Sequence, residues 1–321
     1  MLEYKRDGWK AALCLAPSLL LMCVFTFWPI INSFIMSFLN NYLFSINRAD
    51  VYNDTMGVTK SFTYILGGRF TGIGIQNFIT LFRDKDFWTA LKNTSFIVFV
   101  SVPITVVIAL LISVALNSIK KFRGFFQTIF FLPYVTNTIA LGLVFNSLFH
   151  VDYGLINKLF NLVNKVSWIN SGATWGRAMF VLMIYSIWDG LAFKIIVFLS
   201  GLQNIDKQYY QAAQIDATPK WRVFTRITVP LLSPMILYIT ITSFMGAFKA
   251  YSSVIGIFGT GTYGPVGNDK LLITIVGYIY DQFDKMGMPF GVGSAGSTVL
   301  FIIILLITLV QMQVSKKRVH Y

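Results

Sequence analysis

The chain has 321 residues, of which 55% are hydrophobic and 12% charged, with a formal net charge of +13. An ordinary soluble domain carries about 25% charged residues, so this composition excludes a water-soluble globule and places the chain in a bilayer. The positive excess reads as membrane topology and attraction to anionic headgroups. No basic and aromatic residues cluster as a nucleic-acid reader requires, so no nucleic-acid partner is expected.

In chain order, six apolar blocks are long enough to cross hydrocarbon as helices, which takes about 20 residues each: 11–39, 93–118, 125–149, 177–202, 231–258 and 291–314. They are too long and too continuously apolar for barrel strands, and a helix satisfies its own backbone in lipid. The predicted fold is therefore all-α, a polytopic bundle of six transmembrane helices. The start, MLEYKRDGWK and the first block, reads as a retained anchor, because the apolar run is too long for a secretory signal and lacks a small-residue cleavage site. Cys14 and Cys23 sit about 13 Å apart along that helix at about 1.5 Å per residue, too far for a disulfide. Pro29, Pro103 and Pro133 lie inside blocks and are expected to kink their helices without ending them.

Cytoplasmic loops retain Lys and Arg during insertion, and short loops obey the rule best. The N-terminus (Lys5, Arg6, Lys10), the KKFRG turn (Lys120, Lys121, Arg123), the stretch bearing Lys207, Lys220, Arg222 and Arg226, and the tail (Lys316, Lys317, Arg318) carry that excess. Both termini are accordingly predicted to be cytoplasmic. The whole chain, 1–321, reads as a single transmembrane domain: 1–92 holds the first helix and a long extracellular segment, 93–314 a five-helix core, and 203–230 a pair of cytoplasmic helices. The outer segment 40–92, with Gly67-Gly68 and mixed charges, suits either a small folded cap or a dock for an external protein.

Between the fourth and fifth blocks the sequence turns polar: YYQAAQIDATPKWRVFTRITVP, from Tyr209 to Pro230. Asp206 is suited to cap a short helix from Lys207 to Ile215, with Lys207, Gln208, Gln211 and Gln214 on one arc and Tyr209, Tyr210, Ala212 and Ala213 opposite. Ala217-Thr218-Pro219 breaks it, Thr218 being suited to cap a second helix and Pro219 to its first turn. There Trp221, Val223, Phe224 and Ile227 share one face and Arg222 and Arg226 the other, with Pro230 expected to end the helix. The predicted unit is a helix–turn–helix outside the bilayer, either a shield of interfacial helices or a docking knob for a soluble partner.

This stretch resembles the signature loop of permease subunits of binding-protein-dependent ATP-driven importers, whose pattern runs Glu-Ala-Ala, three residues, Gly, then nine residues ending in Ile-x-Leu-Pro. Here Gln211-Ala212-Ala213 stands for the first element, followed by Asp216, Ala217 in the glycine's place, Phe224, Ile227, Pro230 and Pro234. Gln211 for the acid and Ala217 for the glycine are departures. The resemblance extends through GIGIQNFITLFRDKDFWTALKNTSFIVFV, KKFRGFFQTIFFLPYVTNTIALGLVFNSLF and WDGLAFKIIVFLSGLQNIDKQYYQAA, and is greatest to the carbohydrate branch of six-helix permeases.

The resemblance implies a type I ABC importer permease forming half of a pore for an oligosaccharide-type substrate in a bacterial cytoplasmic membrane. It implies as partners a second related permease, as a heterodimer in preference to a homodimer, two cytoplasmic ATPases and an extracellular solute-binding protein. Coupling to the ATPase falls, by the motif, to Tyr210, Gln211, Ala212, Ala213, Asp216, Ala217, Pro219, Trp221, Phe224, Ile227 and Pro230. The chain holds no G-x-x-x-x-G-K-[ST] phosphate loop, so no cofactor is expected in it, and ATP with Mg²⁺ belongs to the partner ATPase.

Charged side chains within spans usually face a bundle interior or watery cavity, which selects Asp189, Lys194 and Lys249 as candidates for the substrate path. Asp189 and Lys194 are about 140° apart around a helix, which disfavours a direct pair; Lys249 remains an alternative partner for Asp189. Trp188, Tyr185 and Tyr134 offer aromatic faces to sugar C–H surfaces, and Asn137 and Asn146 offer amides that either bind hydroxyls or bond across helices. An enzyme is not expected: His150 and His320 form no H-E-x-x-H pair, and Asp189 lacks a second facing acid. The rival reading is a stand-alone carrier or channel, disfavoured because the signature loop is not repeated within the chain.

Overall fold

The first apolar block is one 30-residue helix, Trp9–Phe38 (α1), followed by β1 (Leu39–Asn40), β2 (Leu43–Phe44), β3 (Thr63–Ile65), β4 (Gly68–Phe70) and β5 (Gly72–Ile73). Helices make up the rest: α2 (Gln76–Arg83), α3 (Lys85–Ser118), α4 (Arg123–Val135), α5 (Thr138–Leu148), α6 (Leu155–Leu159), α7 (Trp175–Asn204), α8 (Lys207–Ile215) and α9 (Lys220–Leu231). α10 (Ser233–Ala247), α11 (Ser252–Phe258), α12 (Ile275–Asp284) and α13 (Phe290–Lys316) complete it. The computed structural model describes residues 8–44, 63–65, 68–119, 121, 123–160, 166–259, 261–284 and 289–316. Lys5, Arg6, Lys120, Lys317, Arg318, Gly67 and His320 lie outside the described residues.

Among the described residues, α1, α3, α7 and α13 are each long and apolar enough to cross a bilayer, and two bent pairs, α4 with α5 and α9 with α10, bring the count to six if each is one span. The expected six-span bundle stands, with two corrections. The block 125–149 bends by 98° between α4 and α5, and the block 231–258 splits into α10 and α11. The second span also begins at Lys85, eight residues before the apolar block does, because DFWTALKN continues the helix outward with a polar face.

Prolines explain where the long helices stay whole. Pro29, Pro103 and Pro230 each follow a five-residue π turn, Cys23–Phe27, Ile97–Ser101 and Phe224–Thr228, that ends two residues before the ring. Proline lacks an N–H and crowds the carbonyl four residues back; widening the preceding turn relieves both problems and keeps the helix continuous. Pro230 therefore does not end the second helix of the polar stretch, as the sequence suggested. The helix runs through it to Leu231, and a 68° bend follows.

The chain packs as two units, one of residues 1–84 with 279–301 and the other of 85–278 with 302–321. In the first, β1 pairs antiparallel with β5, and β2, β4 and β3 form a three-stranded antiparallel sheet. Leu39, Tyr42 and Phe70 make a small core there, and buried Asn77 donates to Ser37 O (3.1 Å) and Leu39 O (2.7 Å). The segment after α1 thus contains a small folded unit.

In the second, Val102, Val106, Ala109 and Leu116 of α3 pack on Ile195, Phe198 and Leu199 of α7 and on Ile239 of α10. Apolar contact alone drives little association between helices in lipid, so cross-helix hydrogen bonds and close backbone approach matter more. Ser113 Oγ lies 3.1 Å from Ile195 O, and Asn93 Nδ2 donates to Leu271 O (2.9 Å) and Ile273 O (3.0 Å) while its Oδ1 accepts from Trp175 Nε1 (2.8 Å).

The tightest approach is between α5 and α11. A Cβ at Gly142 would lie 2.5 Å from the Gly256 backbone, and one at Gly256 would lie 3.0 Å from Gly142 Cα, so both positions admit only glycine without displacement. Asn146 Nδ2 donates to Ile257 O across the same crossing (2.6 Å), the interhelical use expected for that amide. Gly142→Val is expected to destabilise the chain by about 1–3 kcal/mol through overpacking. It should lower the thermal midpoint of the purified chain, whereas Gly176→Ala, with open space around it, should not.

Candidate functional site

Two helix interruptions meet one cavity. At the first, Asn137 leaves helical geometry and its Oδ1 accepts from Ile139 N (2.9 Å) and Ala140 N (3.2 Å), capping α5 where α4 has just ended. At the second, α10 stops at Ala247, and Phe248–Tyr251 cross to α11. A cavity of about 580 Å³ opens between these breaks and the walls of α3 and α7, a size suited to a small ligand.

Of the residues the sequence singled out, Tyr134, Tyr185, Asp189, Lys194 and Lys249 line this cavity. Trp188 and Asn137 are not among the lining residues. The Trp188 ring packs 5.7 Å from Phe145, and the Asn137 amide oxygen is occupied by its cap. Tyr185 is 1% exposed, and its hydroxyl donates to Thr138 O (3.0 Å), so it braces the first break while its ring forms wall. Tyr134 is over half exposed and lies 5.9 Å from Phe193, with the two rings 23° from parallel.

The charges are arranged unequally. Lys194 is buried, and its Nζ donates to Gly190 O (2.8 Å), folding back along its own helix. A Cβ on Gly190 would sit 3.0 Å from that Nζ, so glycine makes the seat. No ion pair within 4.0 Å joins Asp189 to Lys194 or Lys249 among the described residues, which removes the Asp189–Lys249 alternative. Sequence reasoning missed the hydroxyls of Thr105, Ser243, Ser252 and Ser253 on the same wall. Only Ser252-Ser253, a polar pair just after Lys249 in an otherwise apolar block, gave a signal.

The polar stretch forms the expected hairpin. Asp206 Oδ1 accepts from Gln208 N (2.9 Å) at the start of α8. The helix closes with Thr218 N donating to Ala213 O (2.9 Å) and Ala217 N to Gln214 O (3.1 Å), the double bond pattern that demands a left-handed residue. Ala217 takes that conformation at φ 48°, a left-handed geometry that glycine adopts without strain and alanine at a cost. Pro219, not Thr218, occupies the cap position of α9, its carbonyl accepting from Arg222 N and Val223 N.

The predicted apolar faces divide. On α8, Ala213 is buried and Tyr210 half-buried, its hydroxyl 3.2 Å from Thr228 Oγ1 of α9, while Gln211, Ala212, Asp216, Tyr209 and Ile215 are exposed. On α9, Phe224 and Ile227 are half-buried, but Trp221 is 71% exposed, its ring 5.5 Å from Phe224. Tyr209, Ala212, Ile215 and Trp221 therefore present apolar surface on a polar hairpin. At the bend after α9, Leu232 is buried over Gly201 of α7, where a Cβ would come within 2.9 Å of it.

Membrane-length helices, a charged cavity at two helix breaks and a helical hairpin joined by one bend to a cavity wall define a membrane transport permease. The family model for "Binding-protein-dependent transport system inner membrane component" matches residues 78–320, and the chain belongs to that family. It is 30% identical over 320 residues to the lactose transport system permease protein LacF of Rhizobium radiobacter, covering 98% of this chain and 96% of that one. It is 31% identical over 327 residues to the arabinooligosaccharides transport system permease protein AraP of Bacillus subtilis, covering 97% and 93%. A solved bacterial alginate ABC transporter in complex with an alginate pentasaccharide-bound periplasmic protein contains a chain of the same fold. The TM-score is 0.75 at 22% identity, covering 98% of this chain and 96% of that one. The fold is that of a type I ABC importer permease.

Because Ala217 bears left-handed strain, Ala217→Gly is expected to stabilise the hairpin by about 1 kcal/mol, net of glycine's extra chain entropy, and Ala217→Val to weaken it. Hydrogen exchange of the Thr218 amide, slowed about fivefold in the first variant and accelerated in the second, measures this.

Proposed function

We propose that this chain forms half of the translocation path of an ATP-driven oligosaccharide importer in a bacterial cytoplasmic membrane. A second, related permease completes the pore, a solute-binding protein delivers the substrate outside, and two ATPases bind ATP and Mg²⁺ inside. The observation that carries the reading is the hairpin. Its exposed apolar residues Tyr209, Ala212, Ile215 and Trp221 suit a protein groove, and α9 leads through one bend into α10, whose Thr242, Ser243, Gly246 and Ala247 line the cavity. A push on the hairpin is thereby delivered to the cavity wall, and the partner's nucleotide supplies the differential free energy that such a switch requires.

The roles of the hairpin residues follow their exposure. Gln211, Ala212 and Trp221 face the ATPase; Tyr210, Ala213, Phe224 and Ile227 hold the two helices together; Ala217, Pro219 and Pro230 set the angles. Asp216 lies exposed at the turn, within reach of the same groove. In the cavity, Tyr134 offers a ring face to sugar C–H surface, and Ser243, Ser252 and Ser253 offer hydroxyls. The lactose and arabinooligosaccharide permeases among the relatives support a saccharide substrate.

Trp221→Asp, in the assembled complex in proteoliposomes, is expected to reduce substrate-stimulated ATP hydrolysis and uptake more than tenfold while the chain remains inserted. A cysteine at position 211 should react with an impermeant thiol reagent only from the cytoplasmic side. Full coupling in the Trp221 variant, labelling from outside, or saccharide transport by the chain reconstituted alone would each refute the proposal.

A further inference from the structure

Resting on that reading, we infer that the substrate is an acidic saccharide, one bearing a carboxylate or phosphate, and that Lys249 is the residue that selects for it. The cavity wall contains one carboxylate and two ammonium side chains: Asp189 and Lys194 from the middle of α7, and Lys249 from the break after α10. One acid against two bases leaves the wall with an uncompensated positive charge.

The two lysines are placed differently. Lys194 is buried and committed, donating to Gly190 O, with its Nζ close to where a side chain at position 190 would begin. It lies five positions from Asp189 on the same helix and is the nearer of the two lysines in sequence. Lys249 is exposed, and its ammonium has no hydrogen-bond or ion-pair partner among the described residues. Its three donors are free for a ligand.

An ionisable group inside a membrane protein is costly to keep, and it is retained where it faces a watery path and something that passes through it. A neutral sugar would take one or two ordinary hydrogen bonds from Lys249. A carboxylate or phosphate would also neutralise the ammonium and form charge-assisted bonds of roughly twice the strength. The break at Phe248–Tyr251 adds geometry to this, because it carries Lys249 and the hydroxyls of Ser252 and Ser253 to one patch of the wall, cation beside donors. Asp189, on the facing helix, repels a second acidic group and accepts from sugar hydroxyls, which favours an anion at one end of the ligand over a polyanion.

The test uses the complete complex in proteoliposomes with its own binding protein. It compares uptake of a neutral oligosaccharide, an oligouronide of the same length and a sugar phosphate. The wild type is expected to carry at least one of the two acidic probes tenfold or more faster than the neutral one, and which of them identifies the acidic group. Lys249→Gln should lose that preference by about tenfold, and Lys249→Arg, which keeps the charge, should restore most of it. If the wild type carries the neutral probe as fast as the acidic ones, and Lys249→Gln leaves all three unchanged, the inference fails while the permease reading stands. If no saccharide is carried at all, both fail. The wild-type comparison needs no variant, so a poorly assembling Lys249→Gln chain does not shelter the inference.

Discussion

The governing constraint is that a backbone crossing lipid must satisfy its own hydrogen bonds, so a helix interrupts only where protein or water receives the freed groups. Prolines inside the helices and helix stops are distinct features here, and Pro17 and Pro133 sit inside α1 and α4 with no π turn ahead of them. At Pro29, Pro103 and Pro230 a π turn absorbs the ring and the helix runs on. At Thr136–Asn137 and Phe248–Tyr251 the helix stops, and both stops border the same cavity. The first is closed by the Asn137 amide and the Tyr185 hydroxyl, and the second by the tight crossing of α11 on α5. The cavity is thus the place where irregular backbone is tolerated.

α9 ends at Leu231, one residue past Pro230, and a single 68° bend at Leu232 leads into α10, which forms part of the cavity wall. The bend has a seat: Leu232 is buried against Gly201 of α7, the same helix that carries Asp189 and Lys194. Within the hairpin the left-handed Ala217 sets the turn and the Tyr210–Thr228 contact ties α8 to α9.

The departures from the family's loop pattern are informative for the same reason. Ala217 replaces a glycine yet adopts its left-handed conformation, because the two hydrogen bonds that close α8 require it whatever the side chain. Geometry at the turn is therefore set by the closing bonds and tolerates a modest strain. Gln211 is exposed, with its side chain free to keep hydrogen bonding after the loss of charge.

Composition and block length in the sequence alone determined that the chain is a membrane helix bundle, because hydrophobic run length is a direct reading of bilayer thickness. The periodicity from Asp206 to Thr228 likewise located the hairpin, and the span charges Asp189, Lys194 and Lys249 marked the cavity, because capping chemistry and the cost of charge in lipid are local properties. Only the tertiary structure decided that Trp188 and Asn137 turn away to packing and capping, that α9 continues past Pro230, and that Gly142, Gly190, Gly201 and Gly256 are the close-approach points. Each of those depends on what a neighbouring helix presents, and a single chain's pattern of polar and apolar residues contains no record of which helix will be the neighbour.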